Sequence, residues 1–342
     1  MPVFTPTVKE IVEYDEYAGR FEAVKRVEVR ARVSGYLDSV EFQEGQIVEP
    51  GDLLYVIDQR PFRISLEAAR AALAEAEANR DLADIEARRS RDLIKRNAIA
   101  QDVADANEQA LLASVARVSL AQAQVAEAQL NLDYTEVRAP FRGRVGEQLV
   151  DEGNLVSGGM TGATLLTTIV QQDPLYFVFE VSEQDFLRYA RLDESGGRPT
   201  SRTTPNAVAV RLIDEDDYQH HGVMDFVDNE LDPTSGTLEG RAVFANPNGF
   251  IQPGTFGRAR LQGSGLYNAV LIPDSAVQFD QSRQFVYTLN EDNTVGRVWI
   301  KPGPIVDGMR VVREGLSGEE QLIGGNYHRL RIGMSVSPKD TD

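Results

Sequence analysis

The chain has 342 residues, of which 42% are apolar, and its 53 acidic and 35 basic residues give a net charge of -18. This length predicts roughly two to four domains, and the acidic excess disfavours nucleic acid as a partner of the whole surface. Because the chain has no cysteine, disulfides, thiol nucleophiles and thiolate metal sites are excluded. No segment approaches about 18 consecutive apolar residues, so the sequence as given predicts a soluble chain, which fits the trimmed part of an exported or anchored protein.

The N-terminal part of the chain has the pattern of short strands. Residues 5–19, TPTVKEIVEYDEYAG, predict a strand or a pair of strands with no partner nearby in the sequence. In residues 27–58 apolar residues alternate or run in short groups, and tight turns are predicted at Gly35, Gly45 and Gly51. This region therefore predicts several short strands of one β-domain.

Two long segments without glycine or proline follow, at residues 62 to about 97 and about 102 to 133. Alanine, leucine, glutamate, glutamine and arginine dominate both segments, which predicts two long helices. The break at residues 97–101 is short enough to make the helices antiparallel, so they form a hairpin with arms each roughly 50 Å long. Apolar residues at seven-residue steps predict the coiled-coil seam, at Leu66, Leu73, Leu111, Val118, Val125 and Leu132.

A second stretch of strands and glycines begins near residue 136 and repeats the first one. Five residues recur at a constant offset of 108, since Gly35, Glu44, Gly45, Val48 and Gly51 match Gly143, Glu152, Gly153, Val156 and Gly159. Two segments with the same turns at the same spacing predict two halves of one quasi-symmetric β-domain. The helical hairpin interrupts this domain between its halves.

The remaining chain predicts two further β regions. Residues 173 to about 263 alternate apolar and polar residues between turn clusters, which favours a small antiparallel barrel or sandwich. Residues 269–338 continue the pattern, with NAVLIP, QFVYTL and GRVWIKPG as the clearest strands. Their expected partner is the N-terminal segment, which would bring the two ends of the chain into one domain.

The repeated halves resemble a biotinyl or lipoyl carrier domain, whose halves use similar glycine turns. Carriers of this kind bear a modified lysine at the turn between the halves, whereas here that point lies between Ile57 or Asp58 and Thr135, where the hairpin is inserted and no lysine takes the carrier position. A swinging-arm transferase is therefore disfavoured.

With the inserted hairpin, the chain is similar over nearly its whole length to the periplasmic adaptors, or membrane fusion proteins, of tripartite efflux pumps that work with resistance-nodulation-division (RND) transporters. The stretches that carry this resemblance are VRARVSGYLDSVEFQEGQIVEPGDLLYVID, YTEVRAPFRGRVGE, DPLYFVFEVSEQD and VDNELDPTSGTLEGRAVFANPNGFIQPG.

The resemblance implies an elongated, mostly β multidomain protein with an inserted antiparallel helical coiled-coil hairpin. The implied domains are a split lipoyl-like domain at residues 29–60 and 133–170, the hairpin at residues 61–132, an antiparallel β-barrel at residues 17–28 and 171–264, and a membrane-proximal β-domain at residues 1–16 and 265–338. Glycine-bearing connections near residues 173 and 263–265 predict that the domains can tilt.

The implied function is that of a periplasmic adaptor, without catalytic activity, cofactor or metal, that takes part in the export of drugs or other small molecules. Its implied partners are an inner-membrane RND transporter, an outer-membrane channel and further copies of itself in a ring. Association with the inner membrane of a Gram-negative cell through an N-terminal anchor removed from this chain is also implied. Nucleic acid is not an expected partner.

In this family the tip of the hairpin contacts the channel with an arginine, a leucine four residues later and a serine seven residues beyond that. This sequence supplies Arg89 and Leu93 but has Ala100 in place of the serine. Because losing a serine N-cap typically costs about 1 kcal/mol, we expect Asp102, with Asp105, to cap a helix that starts slightly later. The implied channel contacts are Arg89, Leu93, Ile94, Asn97, Ala98, Ile99, Ala100 and Gln101.

Three other functions fit parts of the sequence. An adaptor for an ABC-type exporter has a similar design, a carrier component of an enzyme would need a modified lysine, and a structural coiled-coil tether would need only the hairpin. His220 and His221 follow an acidic run and predict a solvated turn rather than a metal site. No nucleophile elbow, phosphate-binding glycine loop or HExxH signature is present, so the sequence does not predict an enzyme.

Overall fold

The computed structural model describes residues 1–159, 161–325 and 327–340, with the backbone alone for residues 339 and 340. The described helices are α1 (Arg60–Ile94), α2 (Gln101–Asp133) and α3 (Glu183–Glu194). The described strands are β1 (Pro2–Phe4), β2 (Thr7–Ile11), β3 (Tyr14–Ala23), β4 (Arg26–Arg30), β5 (Gly35–Val40), β6 (Ile47–Val48), β7 (Leu53–Ile57), β8 (Glu136–Arg138), β9 (Gly143–Val145), β10 (Leu155–Val156), β11 (Leu165–Val170), β12 (Leu175–Ser182), β13 (Ala207–Leu212), β14 (His220–Val227), β15 (Thr237–Phe244), β16 (Phe256–Gln262), β17 (Tyr267–Pro273), β18 (Gln278–Asp280), β19 (Arg283–Leu289), β20 (Val295–Val306), β21 (Met309–Glu314), β22 (Leu322–Ile323) and β23 (Lys339–Asp340).

The chain divides into two compact units, one formed by residues 23–174 and the other by residues 1–22 with residues 175–342. The first unit contains two four-stranded sheets, ordered β10-β5-β7-β8 and β4-β11-β9-β6. The two repeats correspond strand by strand: β5 to β9, β6 to β10, β7 to β11 and β8 to β4. If each strand is replaced by its counterpart, the order of one sheet becomes the order of the other. These two sheets, the split β-domain, therefore have the internal two-fold relation that the repeat predicts.

Both repeats contribute to one hydrophobic core. A Cβ on Gly35 would lie 2.7 Å from Cγ2 of Ile57, and a Cβ on Gly143 would lie 2.8 Å from Cγ2 of Ile169. Both isoleucines are fully buried in the same cluster of side chains. Glycine is therefore required at the two matching positions by the close approach of the opposite strand, and the repeat is the product of packing as well as of turns.

The helical hairpin is inserted between two paired strands. Strand β7 ends at Ile57 and α1 begins at Arg60, while α2 ends at Asp133 and β8 pairs with β7 through Val56 and Glu136. The helices have 35 and 33 residues, and proline in the first turn of α1 is compatible with a helix start because its missing N–H has no partner there. The insertion leaves the strand pair of the split β-domain intact.

In the second unit, a closed antiparallel barrel has the strand order β12-β15-β14-β13-β16-β3. Its interior is filled by large side chains, including the rings of Phe21, Phe177 and Phe244, which meet edge to face. Helix α3, which the sequence analysis does not predict, begins where Ser182 accepts a hydrogen bond of 3.2 Å from the backbone N–H of Asp185. The barrel is thus one of the two alternatives that the strand pattern left open, with a helix added to it.

The rest of the second unit is a sheet in which both ends of the chain meet. Its path is β2-β17-β21-β20-β19-β22-β1-β23, with β18 paired to β19. Strand β2 runs antiparallel to β17, and β1 pairs with β22 and β23. This terminal sheet therefore contains the N-terminal segment that has no partner nearby in the sequence.

Candidate functional site

The two helices of the hairpin meet along the predicted heptad positions. Of the six predicted seam residues, Leu66 and Val118 are buried, and the other four are half-buried: Leu73, Leu111, Val125 and Leu132. The remaining buried positions of the two helices carry small side chains, namely Ala87, Ser90, Ser114, Ala121 and Ala128. Small residues allow the helix axes to approach closely, so alanine and serine define this seam as much as leucine and valine do.

Near the tip, polar contacts join the two helices. Nδ2 of Asn107 donates a 2.5 Å hydrogen bond to Oγ of Ser90, which is buried in the seam. Nε of Arg91 lies 3.1 Å from Oε2 of Glu108. A buried polar pair fixes the register of two helices because a shift would leave both groups unpaired. The heptad pattern of apolar residues does not predict this pair, although Ser90 and Asn107 both lie at seam positions.

The turn at the tip is held by backbone hydrogen bonds. Asn97 has a φ of 52°, and the N–H of Ala98 donates to the carbonyl of Leu93 over 3.0 Å. Asparagine tolerates this left-handed conformation better than most residues, so it closes α1 in the way that glycine often does. Helix α1 therefore ends before the tip, and the turn is well defined.

The expected capping of α2 by Asp102 and Asp105 is wrong. The N-cap is Ala100, without a side-chain cap, and the helix begins at Gln101 instead of later. Oδ1 of Asp102 accepts from the N–H of Val103 over 2.9 Å, and Oδ1 of Asp105 accepts from Nε2 of Gln101 over 2.9 Å. Both carboxylates thus lie within the first turns, where negative charge is favourable for the helix dipole.

The predicted contact residues surround this turn. The exposed ones are Arg89, Asn97, Ala98, Ala100 and Gln101, and the half-buried ones are Leu93, Ile94 and Ile99. The tip therefore combines polar groups at its edge with partly exposed apolar side chains. Such a surface can bury a small apolar area against a partner.

The cations near the end of α1 fall into two groups. Arg88, Arg91 and Lys95 are paired with Asp84, Glu108 and Asp92, at 2.6, 3.1 and 3.2 Å respectively. In the part of the chain that the structure describes, no carboxylate forms an ion pair with Arg89 or Arg96. The paired cations are accounted for by contacts within the hairpin, whereas Arg89 is not.

The glycines of the split β-domain serve two purposes. Four of them have positive φ values, which residues with a Cβ rarely adopt. They are Gly45, Gly51, Gly153 and Gly159, with φ values of 76, 93, 84 and 125°. Gly35 and Gly143 are instead needed for close packing. At the corner where a carrier would present its lysine, Asp58 pairs with Arg60, and these hydrogen bonds lower the pKa of Asp58 to about 2. This corner therefore connects the split β-domain to the hairpin through Asp58 and Arg60.

Other candidate sites are not supported as metal centres. His220 and His221 lie at the start of β14 and not in a solvated turn, and Nε2 of His220 is 2.9 Å from Oε1 of Glu215. Over residues 1–159, 161–325 and 327–340, no group of three or more histidine, aspartate or glutamate side chains could hold a metal ion. In the same residues, no helix is both long and apolar enough to span a membrane.

Three parts of the chain match family profiles. Residues 25–168 match the barrel-sandwich hybrid domain of RND membrane fusion proteins, residues 174–264 match the beta-barrel domain of these proteins, and residues 268–329 match their C-terminal permuted SH3 domain. The efflux pump periplasmic linker BepF of Brucella suis is 36% identical over 326 residues, which cover 95% of this chain and 78% of BepF. The multidrug resistance protein MdtA of Klebsiella pneumoniae is 34% identical over 340 residues, 97% of this chain and 78% of MdtA.

Solved structures of similar fold include MacA from Actinobacillus actinomycetemcomitans, with a TM-score of 0.56, 21% identity and coverage of 92% of this chain and 98% of that one. A MacA–MexA chimera with the α-hairpin of Pseudomonas aeruginosa MexA has a TM-score of 0.59, 21% identity and coverage of 94% and 98%. These likenesses confirm the mostly β multidomain fold with an inserted hairpin. Together with the profiles and the relatives, they establish that the chain belongs to the family of RND membrane fusion proteins, as its sequence predicts.

Proposed function

We propose that this chain is a non-catalytic periplasmic adaptor that links an inner-membrane RND transporter to an outer-membrane channel for the export of drugs or other small molecules. The observation that carries the proposal is the succession of three RND membrane fusion protein domains over residues 25–329. Relatives that are more than 30% identical bear the names efflux pump periplasmic linker and multidrug resistance protein. The working location would be the periplasm, at the inner membrane of a Gram-negative bacterium.

The hairpin would extend the adaptor toward the channel. Its helices of 35 and 33 residues are each roughly 50 Å long at 1.5 Å per residue, and the small side chains of the seam favour a stiff pair. The insertion point is braced by a 3.1 Å hydrogen bond from Nε2 of Gln59 to Oε1 of Glu136 and by the β7–β8 pairing. A stiff rod on a braced base can present its tip to a partner at a fixed distance.

The tip would make the contact with the channel. We assign this role to the turn and to the end of α1, with Arg89 and Leu93 at its centre. Arg89 is exposed and has no ion pair among the described residues, so its charge is available to a partner. Leu93 is half-buried and offers apolar surface beside it. The same family pattern places Ala100 where a serine is usual, so a hydrogen bond from that hydroxyl would be lacking.

Side-by-side association of copies into a ring would complete the adaptor. The two helices carry several exposed apolar side chains, which include Ile64, Leu82, Ile85, Leu112, Val115, Leu120 and Leu130. Exposed apolar side chains mark a protein contact surface where they form a contiguous patch, and neighbouring copies would cover such a patch in the proposed ring. The proposed domains are those given above, with two boundaries moved, because all of β3 (Tyr14–Ala23) lies in the barrel and β4 (Arg26–Arg30) lies in the split β-domain. Residues 160 and 326 lie outside the described residues.

The tip assignment is tested by the double substitution Arg89→Asp with Leu93→Ser. We expect normal expression and helix content but loss of channel capture in a pull-down from crosslinked cells, together with loss of drug resistance, because both changes lie at the end of the hairpin. The matched control is Arg191→Asp with Leu187→Ser, which makes the same changes four residues apart on the exposed side of α3. Full resistance in the tip variant would reject the assignment, and equal loss in the control would show that the effect is not specific.

A further inference from the structure

A cavity of about 300 Å³ lies between α3 and the wall of the barrel. Strands β12, β14, β15 and β16, helix α3 and the segment after it all contribute to its lining. Most of the lining is apolar, with Phe179, Val181, Phe186, Ala190, Met224, Val227, Leu238 and Leu261. Its volume is at the lower end of the range of about 300 to 1,000 Å³ that is usual for small-molecule sites.

One charged side chain in this lining is buried. Arg198 is 3% exposed, and its Nε has no hydrogen-bond partner. Nη2 donates to Oγ of Ser201 over 3.2 Å, and the guanidinium stacks on the ring of Tyr189 at 4.4 Å from its centre. Among the described residues no carboxylate forms an ion pair with Arg198. A buried cation with a donor left unused is costly, because that donor has lost its water without gaining an acceptor.

The carboxylate that could have paired with Arg198 is already engaged. Oδ2 of Asp15 accepts from Nη2 of Arg188 over 2.8 Å and from the hydroxyl of Tyr189 over 2.6 Å. Burial lowers the pKa of the Arg198 guanidinium, although the nearby Tyr189 acts in the opposite direction. The protein therefore places an aromatic ring and a hydroxyl against Arg198, while the nearby Asp15 acts on it only from a distance and forms its ion pair with Arg188 instead.

The other charges at the cavity lie at its edge. Asp193, Glu194 and Glu239 are exposed, and the Asp193 carboxylate accepts from the backbone N–H of Thr200 over 2.9 Å. Arg202 is exposed as well and donates to the carbonyl of Asp228 over 2.7 Å. Water can screen these groups, whereas it screens Arg198 much less. The deep part of the cavity is thus apolar with one positive charge.

We propose that this cavity binds a small amphipathic carboxylate, with its carboxylate on Arg198 and its apolar body against the lining. The planar guanidinium fork suits a carboxylate, which would bring a negative charge to a buried cation that no carboxylate of the described residues contacts. The site is separate from the tip of the hairpin, because all of its residues belong to the barrel, to α3 and to the segment that follows α3.

The test compares octanoate with 1-octanol, which has the same chain length and no charge, by isothermal titration calorimetry on the whole chain. We expect octanoate to bind in a one-to-one ratio and at least about tenfold more tightly than 1-octanol, as a charge-assisted hydrogen bond implies. Arg198→Met should weaken octanoate binding by about tenfold or more. Arg191→Met, which removes an exposed arginine of α3 outside the cavity, should leave it unchanged.

A second variant keeps the test decisive if Arg198→Met does not fold. Ala190→Phe retains the arginine but fills the cavity with a ring, and it should abolish octanoate binding. Circular dichroism would verify that each variant is folded. Equal affinity for octanoate and 1-octanol, no binding of octanoate by the wild-type chain, or full binding by either folded cavity variant would each overturn the proposal.

Discussion

Two glutamates of the repeat connect the halves of the split β-domain to each other. Oε1 of Glu44 accepts from the backbone N–H of Gln148 over 2.8 Å, and Oε1 of Glu152 accepts from the backbone N–H of Val40 over 3.0 Å. The four positions are related by the offset of 108, so one interaction occurs twice. Hydrogen bonds to charged acceptors are among the stronger ones in proteins. Each half thus supplies a carboxylate to the backbone of the other.

This reciprocity can be tested by hydrogen exchange. Glu152→Ala should make the Val40 amide exchange about tenfold faster, which corresponds to the loss of about 1.4 kcal/mol, and should leave the Gln148 amide unchanged. Glu44→Ala should have the opposite pattern. Glu147→Ala, which removes an exposed carboxylate of the same region, is the control. Uniform acceleration of both amides in each variant would contradict a specific contact.

At the scale of elements, the heptad pattern of the hairpin and the close approach of its helices could be predicted from the sequence, whereas the depth to which each seam residue is buried could not. Apolar residues at every seventh position identify the face of each helix that meets the other helix, because the periodicity of the helix alone decides which residues share a face. The depth of burial depends on the size of the opposing side chains, which is why Ala87 is buried more completely than Leu73. Helix α3 escaped prediction because its 12 residues follow a strand directly and are short for a periodic signal.

The tight seam predicts a cost for added volume. Ala87 is 1% exposed, so Ala87→Leu should lower the stability of the hairpin by about 1 to 3 kcal/mol through overpacking. Ala74→Leu, at an exposed position of the same helix, should have little effect. Thermal melting followed by far-ultraviolet circular dichroism measures both, since α1 and α2 contribute most of the helix. Unchanged melting of the Ala87 variant would show that the helices can separate without cost.

At the scale of the whole molecule, the offset of 108 identifies the split β-domain, because two matching sets of turns must fold alike. The pairing of β2 with β17 joins residues more than 250 positions apart, and in the sequence only the absence of a nearer partner for the N-terminal segment indicated it.

The glycines at 263–265 predicted a flexible connection, yet Gly263 packs on Asp15 so closely that a Cβ would lie 2.3 Å from Oδ2 of Asp15. Its N–H also donates to the carbonyl of Glu13 over 2.8 Å. Close packing and not flexibility therefore accounts for this glycine.

Glu13 joins the barrel to the terminal sheet. It lies between β2 and β3, and its carboxylate accepts from the hydroxyl of Tyr267 and from Nη2 of Arg313, both in the terminal sheet. Its backbone N–H donates to Oγ of Ser264 over 2.8 Å. Glu13 lies where the chain passes from the terminal sheet to the barrel, and Ser264 lies where it returns, so this hydrogen bond joins the two connecting segments. Burial, followed by the contact with Glu13, raises the pKa of Tyr267 to about 12.

Removal of this carboxylate should loosen the terminal sheet. We expect Glu13→Ala to lower the free energy of unfolding of the terminal sheet by about 2 kcal/mol, because Tyr267 loses its acceptor and Arg313 loses its counter-charge. The single tryptophan, Trp299 on β20, reports on this sheet by fluorescence during guanidinium denaturation. Glu10→Ala, at an exposed position on β2, is the control. Equal midpoints for the two variants would refute a role for Glu13 in this connection.

The chain enters residues 23–174 from one unit and returns to that same unit afterwards. A protease nick at either crossing would therefore leave the two units covalently attached through the other. During synthesis β2 emerges long before β17, so the terminal sheet cannot form until residues 267–271 have been made, whereas the strands of the split β-domain are all present once residue 170 has been made. We expect the folding order of this protein to run from its middle outward.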